Sequence, residues 1–265
     1  MPRKSRRESD IAELNRDTVS IYYEWLATDQ PDAPTILLSH GFSATSAMWR
    51  GQLKALGEHC NLITWDMRGH GKSASPPDPT LYSEQHTVED MAAILQACSV
   101  EQAIIGGLSL GGYMTLAFHL AHPEMCSALM LFDTGPGYKR DDARQGWNKT
   151  ANATAAALES KGFAALGTGS EVRVAQHTSA AGLAHAARGM LAQVDDRIIQ
   201  SLPNIGRPTL VLVGEDDQPF RIPTDYMANK IPGAQKVVLQ SAGHASNIDQ
   251  PAAFNRSVLD FLARL

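Results

Sequence analysis

The amino-acid sequence predicts an α/β fold: a mostly parallel central sheet with helices on both faces and a helical cap insertion. Short segments that are apolar throughout alternate with segments of helical periodicity. Such strands are typical of parallel sheets, because both faces of the sheet are covered. Residues 135–202 are rich in alanine and polar residues and show no strand pattern. They therefore predict several short helices inserted between two strands.

Seven strands are predicted, and the first differs from the others in composition. The first, Thr18–Trp25, is rich in β-branched and aromatic residues. The others are short apolar runs that end at glycine or polar residues. In chain order they are Thr35–Ser39, Asn61–Trp65, Gln102–Gly106, Ser127–Phe132, Thr209–Val213 and Lys236–Leu239.

Three helices are predicted outside the inserted stretch. Thr87–Cys98 has apolar residues near helical spacing, with Thr87 as the N-cap and Asp90 three residues further on. Gly111–Ala121 follows the strand Gln102–Gly106 closely. Pro251–Leu265 has its proline early in the first turn, a position that proline tolerates well.

The domain organisation follows from these elements. We expect residues 1–12 to form a disordered basic tail. Residues 13–134 and 203–265 would form the core domain. Residues 135–202 would cover the active-site end of the sheet as a cap or lid, and the alternative for this insertion is a peripheral decoration.

Composition narrows the classes of partner. The chain has 265 residues, of which 43% are hydrophobic and 19% are charged, with a net charge of −5. This apolar content is sufficient for a large core. A small negative net charge creates no positive electrostatic potential that would attract nucleic acid or acidic membranes. We therefore expect neither a nucleic-acid nor a membrane partner.

The cysteines and the N-terminus favour a cytoplasmic protein. Cys60, Cys98 and Cys126 form an odd, sparse set without metal-ligand spacing. We interpret them as buried thiols in a reducing compartment. No apolar stretch follows the basic N-terminal residues as in a secretory signal, and no apolar run is long enough to span a bilayer. No metal and no cofactor are predicted.

Residues 107–111 read Gly-Leu-Ser-Leu-Gly, a G-x-S-x-G motif between a predicted strand and a predicted helix. This context is typical of a nucleophile elbow, in which a tight turn projects the serine above the sheet. Glycine suits the flanking positions because side chains there would collide with the crossing strand and helix. The motif makes Ser109 the candidate nucleophile, with helix N–H groups directed at it.

A serine nucleophile needs a neighbouring base, and the base needs an acid that orients it. His244, in the loop after the last predicted strand, is the candidate base. Asp217 is the candidate acid. It lies three residues past Gly214, the glycine that directly follows the strand Thr209–Val213. Asp133, at the end of the preceding strand, is the alternative. The chain order Ser-Asp-His favours Asp217.

Other candidate residues follow from position in the sequence. The backbone N–H groups of Phe42 and Leu110 are candidates for an oxyanion hole. Aromatic side chains that could line the substrate pocket, or simply pack in the interior, are Phe42, Trp49, Tyr138 and Trp147. Histidines expected to brace loops are His40 and His70, and histidines expected to be surface or packing residues are His177 and His185.

These motifs together resemble the α/β-hydrolase family over nearly the whole chain outside the tail and the insertion. Residues 40–42 (His-Gly-Phe) resemble its oxyanion loop, and residues 66–73 (Asp-Met-Arg-Gly-His-Gly-Lys-Ser) its D-x-R-G-H-G-x-S turn. Residues 107–112, 214–217 and 243–244 resemble the nucleophile elbow, the acid loop and the histidine loop.

The resemblance implies a serine hydrolase that cleaves a carboxylic ester of a small or medium organic substrate through an acyl-enzyme. The expected partner is therefore a small-molecule, ester-like substrate. Family members that act on haloalkanes or epoxides use an aspartate nucleophile, and Ser109 argues against both. One alternative is a lactonase, or a carbon–carbon bond hydrolase of a diketone acid that would need a cationic clamp from an arginine of the insertion. Arginines available for that clamp are Arg140, Arg144, Arg173 and Arg188. Another alternative is a ligand-binding protein on the same scaffold.

Overall fold

The computed structural model of the protein describes residues 10–30 and 32–265, and within them eight strands form one sheet. The strands are β1 (Asp10–Arg16), β2 (Val19–Leu26), β3 (Thr35–Ser39), β4 (Asn61–Trp65), β5 (Ala103–Leu108), β6 (Cys126–Phe132), β7 (Thr209–Gly214) and β8 (Gln235–Leu239). Their order across the sheet is β1-β2-β4-β3-β5-β6-β7-β8. The pairs β1–β2 and β2–β4 are antiparallel, and all other neighbours are parallel. The predicted mostly parallel sheet is confirmed.

The α-helices of the described residues are α1 (Arg50–Gly57), α2 (Glu84–Ala97), α3 (Leu110–Ala121), α4 (Asp141–Lys161), α5 (Ser170–Arg173), α6 (Ala180–Ala186), α7 (Arg197–Ser201), α8 (Gln218–Lys230), α9 (Ser246–Asp249) and α10 (Pro251–Leu262). Short 3₁₀ turns and a π-helical turn at Ala187–Leu191 supplement them. No helix in residues 10–30 and 32–265 is both long and apolar enough to cross a bilayer.

Helices cover both faces of the sheet, as predicted. Side chains of α2, α3 and α8 pack into the core on one face, and those of α1 and α10 pack into the core on the other face. Strand β3 shows why its sequence is apolar throughout. Leu37 enters the first core, whereas Ile36 and Leu38 enter the second, because successive strand side chains point to opposite faces.

The predicted disordered tail is wrong for residues 10–12, which belong to β1. The first nine residues lie outside the described part of the chain. Strand β1 is polar and pairs with β2 alone. Its Ile11 is 64% exposed, so this edge strand lacks the apolar run that marks the central strands.

Two features of the helices also differ from prediction. Helix α2 begins at Glu84, and its N-cap is Ser83, whose Oγ accepts a hydrogen bond from the backbone N–H of His86. The predicted cap Thr87 instead lies within the first turn. Helices α1 and α8 were not predicted. The two prolines of α8, Pro219 and Pro223, hide its periodicity.

The segment between β6 and β7 is helical and contains α4 to α7. It has a small apolar core of its own, formed by Ala155, Leu158, Leu183, Ala184 and Ala187. The side chain of Phe42, from the loop after β3, packs against this core. The inserted segment therefore lies next to the carboxyl ends of the parallel strands, where loops of such sheets form sites.

Candidate active site

Ser109 lies at a strained turn between β5 and α3. Its backbone angles are φ 55° and ψ −116°, a conformation that L-residues adopt at a cost in energy. The turn requires glycine nearby. A Cβ added to Gly107 would lie 2.3 Å from the carbonyl carbon of Gly111, and one added to Gly111 would lie 2.3 Å from the carbonyl oxygen of Ser39.

The neighbouring strand holds this turn in place. The backbone N–H of Ser109 donates to the carbonyl oxygen of Phe132 at 3.0 Å. The hydroxyl of Thr134 donates to the carbonyl oxygen of Ser109 at 2.6 Å. Leu110 is the first residue of α3, so its N–H has no acceptor within the helix and points toward the helix N-terminus.

His244 and Asp217 form a hydrogen-bonded pair. The Nδ1 of His244 lies 2.8 Å from Oδ2 of Asp217, which is only 5% exposed. The ring of Phe220 stacks on the imidazole, with centroids 4.9 Å apart and an interplanar angle of 25°. Burial lowers the pKa of His244, but the hydrogen bond and the charge of Asp217, with smaller contributions from Asp133 and Glu171, outweigh it and raise the pKa above its usual value.

The loops that carry this pair are joined backbone to backbone. The N–H of Glu215 donates to the carbonyl oxygen of Leu239 at 2.8 Å, and that of Asp216 to the carbonyl oxygen of Ala242 at 2.9 Å. A Cβ added to Gly214 would lie 2.3 Å from the carbonyl oxygen of Ala242. Glycine therefore allows the acid loop and the histidine loop to meet.

Asp133, the alternative acid, faces a different set of partners. Its Oδ1 accepts from the N–H of Gly214 at 2.8 Å, and its Oδ2 accepts from the hydroxyl of Ser246. It therefore ties the end of β6 to the loops that carry Asp217 and His244. Burial raises the pKa of Asp133 to about 7, although the hydrogen bonds from Ser246 and Gly214 oppose the rise.

Ser109 and His244 lie near the same cavity, but their side chains are not hydrogen-bonded to each other. Phe220, which stacks on His244, lines the same cavity as Ser109. Within the described residues no hydrogen bond joins the side chains of Ser109 and His244. In serine hydrolases such a hydrogen bond can form fully when a substrate binds.

The loop after β3 lies beside Ser109. A Cβ added to Gly41 would lie 3.3 Å from the Cβ of Ser109. The carbonyl oxygen of Gly41 accepts from Nδ1 of His40 at 2.7 Å and from the N–H of Ala44 at 3.1 Å. This carbonyl belongs to the same peptide group as the N–H of Phe42, which meets no acceptor in the part of the chain that the structure describes.

A cavity of about 200 Å³ opens at Ser109. Its wall comes from the elbow, the inserted segment and the start of α8. The lining residues include Leu110, Tyr113, Thr134, Tyr138, Trp147, Leu191, Gln193 and Phe220. Tyr138 and Trp147 thus occupy the place expected of pocket residues, and Trp147 is fixed by an Nε1–H hydrogen bond of 2.8 Å to the carbonyl oxygen of Leu191.

The pocket prediction is wrong for Trp49. Its side chain is fully buried and packs against Phe132 and Phe254, with ring centroids 6.1 Å and 6.2 Å away. It lies in the core on the face of α1 and α10. Phe42 is not among the residues that line the cavity either. Its ring lies edge-on to that of His70, with ring centroids 5.5 Å apart.

The chemical character of the cavity is uncharged and largely apolar. Among the described residues that line it, none is Asp, Glu, Lys, Arg or His. Gln193 supplies an amide, and two hydrogen bonds of 2.8 Å join its backbone to the side-chain amide of Asn148. Over the described chain, no cluster of three His, Cys, Asp or Glu side chains is placed to hold a metal ion.

Sequence reasoning missed several residues of this region. Phe220 and Gln193 carried no motif, and Tyr113 has the apolar character of any residue in a buried helix. His177 was assigned to the surface or to packing, yet it bonds to two loops of the core. Only Phe220 had a signal in the sequence, namely its position three residues after the candidate acid Asp217. It lies in the first turn of α8, whose N-cap is Asp217.

A strained serine turn and a hydrogen-bonded histidine–aspartate pair, at the carboxyl ends of a mostly parallel sheet, define the protein as a hydrolase of α/β architecture. A sequence profile of the alpha/beta hydrolase fold matches residues 34–168. The chain therefore belongs to the α/β-hydrolase fold family.

Similar proteins carry the names of different hydrolases. The chain is 32% identical to 3-oxoadipate enol-lactonase 1 of Acinetobacter baylyi, over 84% of this chain and 86% of the relative. It is 28% identical to the protein named "Putative carbamate hydrolase RutD" of Pseudomonas savastanoi, over 91% and 98% of the two chains. The solved structure of a thermophilic esterase from Thermogutta terrifontis is 25% identical with a TM-score of 0.82, over 96% and 98%.

Proposed function

We propose that the protein is a serine hydrolase that cleaves a carboxylic ester of a small or medium organic substrate through an acyl-enzyme. One observation carries this proposal. The 2.8 Å bond between His244 and Asp217 adjoins a cavity that has Ser109 in its wall. The pair leaves Nε2 of the imidazole free to take a proton, and the strained turn presents a hydroxyl to the cavity.

The first half of the reaction forms the acyl-enzyme. The Nδ1–H of His244 donates to Asp217, so Nε2 is unprotonated and accepts the proton of Ser109 as Oγ attacks the ester carbonyl. The N–H groups of Phe42 and Leu110 stabilise the negative charge on the carbonyl oxygen. When the tetrahedral intermediate collapses, the ester C–O bond breaks and the alcohol leaves with the proton from His244.

The second half of the reaction releases the acid. Nε2 of His244 removes a proton from water, which attacks the acyl carbonyl while the same two N–H groups hold the oxyanion. Collapse breaks the bond to Oγ of Ser109, and the serine recovers its proton from His244. Asp217 remains ionised and stabilises the imidazolium in both halves.

The walls of the cavity support an uncharged acyl group. The described lining residues carry no charge, and burying an unpaired carboxylate among apolar side chains is costly. The volume of about 200 Å³ supports a compact group, packed against Tyr138 and Trp147.

Carbon–carbon bond cleavage of a diketone acid is less well supported. The arginines of the insertion that could clamp a carboxylate do not line the cavity. Each has a partner elsewhere: Arg140 pairs with Asp142, Arg144 with Asp141, Arg188 with Glu159, and Arg173 donates to the carbonyl oxygen of Thr168. Lactone hydrolysis has more support, since relatives carry the name enol-lactonase and a lactone is a cyclic ester.

Labelling by a fluorophosphonate tests the mechanism. We expect the wild-type protein to be labelled and Ser109→Ala not to be labelled, because only an activated serine reacts. A panel of p-nitrophenyl esters, a lactone, an aryl carbamate and a chromogenic diketone acid then ranks the substrates. Labelling that survives in Ser109→Ala, or tight binding of esters without turnover, would contradict the proposal.

A further inference from the structure

His177 connects the inserted segment to two loops of the core. It lies between α5 and α6. Its Nδ1 is 3.1 Å from the backbone nitrogen of Gly71, which is a donor. Its Nε2 is 3.0 Å from the carbonyl oxygen of Ser43, which is an acceptor. These partners require one form of the ring: a neutral imidazole that accepts at Nδ1 and donates from Nε2–H.

The residue that His177 holds is strained and lies next to the candidate oxyanion donor. Ser43 follows Phe42 directly and has φ 58°, in the left-handed region that favours glycine. Surrounding contacts must hold such a backbone in place. The N–H of Ser43 donates to Nε2 of His70 at 3.2 Å, and its carbonyl group accepts from His177. Both polar backbone groups of Ser43 are therefore held by imidazole rings.

A row of three imidazoles runs along this loop. His40 holds the peptide group that contains the N–H of Phe42, through the carbonyl oxygen of Gly41 at 2.7 Å. The ring centroids of His40 and His70 are 4.9 Å apart, and those of His70 and His177 are 5.8 Å apart. His40 and His70 follow core strands, whereas His177 comes from the inserted segment.

We propose that His177 is a positioning residue: it couples the seating of the inserted segment to the orientation of the Phe42 N–H that holds the oxyanion. The inference rests on the proposed function. Without His177, the carbonyl group of Ser43 and the N–H of Gly71 lose their partners, and the left-handed turn beside Phe42 is free to relax. The Phe42 N–H would then point less accurately at the negative charge, which exists only in the transition state and the tetrahedral intermediate.

Two variants separate hydrogen bonding from packing. His177→Phe keeps a ring of similar size but has no donor or acceptor. His177→Gln keeps both an amide donor and an amide acceptor. His185→Ala is the matched control, because His185 belongs to the same segment but packs on Tyr82, with ring centroids 5.4 Å apart, away from the loop after β3.

The kinetic expectation is a fall in kcat with little change in KM. Losing a whole oxyanion donor lowers kcat by about 10²–10³-fold, so a misdirected donor in His177→Phe should cost about 10–100-fold. The same variant should lose a similar factor in affinity for a trifluoromethyl ketone, whose adduct with serine carries an oxyanion. His177→Gln should recover most of kcat, and His185→Ala should match the wild type.

Several results would overturn the inference. His177→Phe could keep wild-type kcat, His177→Phe and His185→Ala could lose kcat equally, or His177→Gln could be as impaired as His177→Phe. Each would show that the hydrogen bonds of His177 do not position the loop. The proposed function is checked separately, since its failure would appear as a wild-type protein that is not labelled or as labelling that survives in Ser109→Ala.

Discussion

Replacing Asp217 by asparagine isolates the electrostatic contribution of the carboxylate to the candidate site. The amide would keep the size of the side chain but remove the charge that faces the imidazolium in the transition state. With Nδ1 and Oδ2 at 2.8 Å, the two charge centres lie about 4 Å apart. At an effective dielectric constant of about 20, their interaction is about 4 kcal/mol. We therefore expect kcat for Asp217→Asn to fall by about 10³-fold.

The pH profile of kcat/KM gives a second, independent readout. Nε2 of His244 must be unprotonated to act as a base, so activity rises with pH as the imidazole loses its proton. Asp217 raises the pKa of His244 against the opposing effect of burial. Removing the carboxylate lowers that pKa, so the acid limb of the profile should move to lower pH in Asp217→Asn. Stopped-flow or plate assays with a p-nitrophenyl ester measure both effects.

A neighbouring acid provides the matched control. Asp216 is exposed, and Asp216→Asn should leave kcat and the acid limb unchanged. Equal activity in Asp217→Asn and Asp216→Asn would refute the assigned role of Asp217. A loss of activity confined to Asp133→Asn, with the acid limb moved in that variant alone, would transfer the role to Asp133.

The remaining predictions concern stability. Gly107→Ala should lower the free energy of unfolding by more than about 2 kcal/mol, because its Cβ would lie 2.3 Å from backbone of α3. Gly146 lies within α4, and a Cβ added there would have nothing within 4 Å. Gly146→Ala should therefore raise the free energy of unfolding by about 1 kcal/mol. Urea unfolding that ranks the two variants the other way would contradict the packing argument. Burial raises the pKa of Asp133 from 3.8 to about 7, so between these pH values the folded state keeps a proton that the unfolded state has lost. The wild type should therefore lose stability relative to Asp133→Asn as the pH rises from 3.8 to about 7. A pH-independent difference between the two unfolding free energies would show that Asp133 titrates normally.

The central strands were predictable because their signal is local. Residues Thr35–Ser39 and Asn61–Trp65 form β3 and β4 with the predicted bounds. Each is a short apolar run that ends at a polar residue, His40 or Asp66, which leaves little choice of boundary. The turn at Ser109 is local in the same way, because residues 107–111 contain both the candidate nucleophile and the glycines that its turn requires. The edge strand β1 has no such run and escaped detection.

Side chains that depend on distant partners were not predictable. From the sequence, Trp49 is equally suited to a pocket and to the core. It lies in the core because it packs among residues of α1 and α10, a contact that the local sequence does not encode. His177 meets Gly71 and Ser43 across 106 and 134 residues of sequence. No pattern around residue 177 encodes such contacts, so the histidine could not be told from an ordinary surface residue.

The candidate catalytic residues and the cavity wall belong to different parts of the fold. Ser109 follows β5 directly, whereas Asp217 and His244 lie in the short loops after β7 and β8. Hydrogen bonds between these two loops tie them to the end of the sheet. Tyr138 and Trp147, in contrast, belong to the inserted segment, which folds around its own small core. We therefore expect substitutions in that segment to change the shape of the cavity while the ends of the strands stay in place. Hydrogen bonds from His177 to Gly71 and Ser43 join the two parts, which is why we propose this residue as the point where they are coupled.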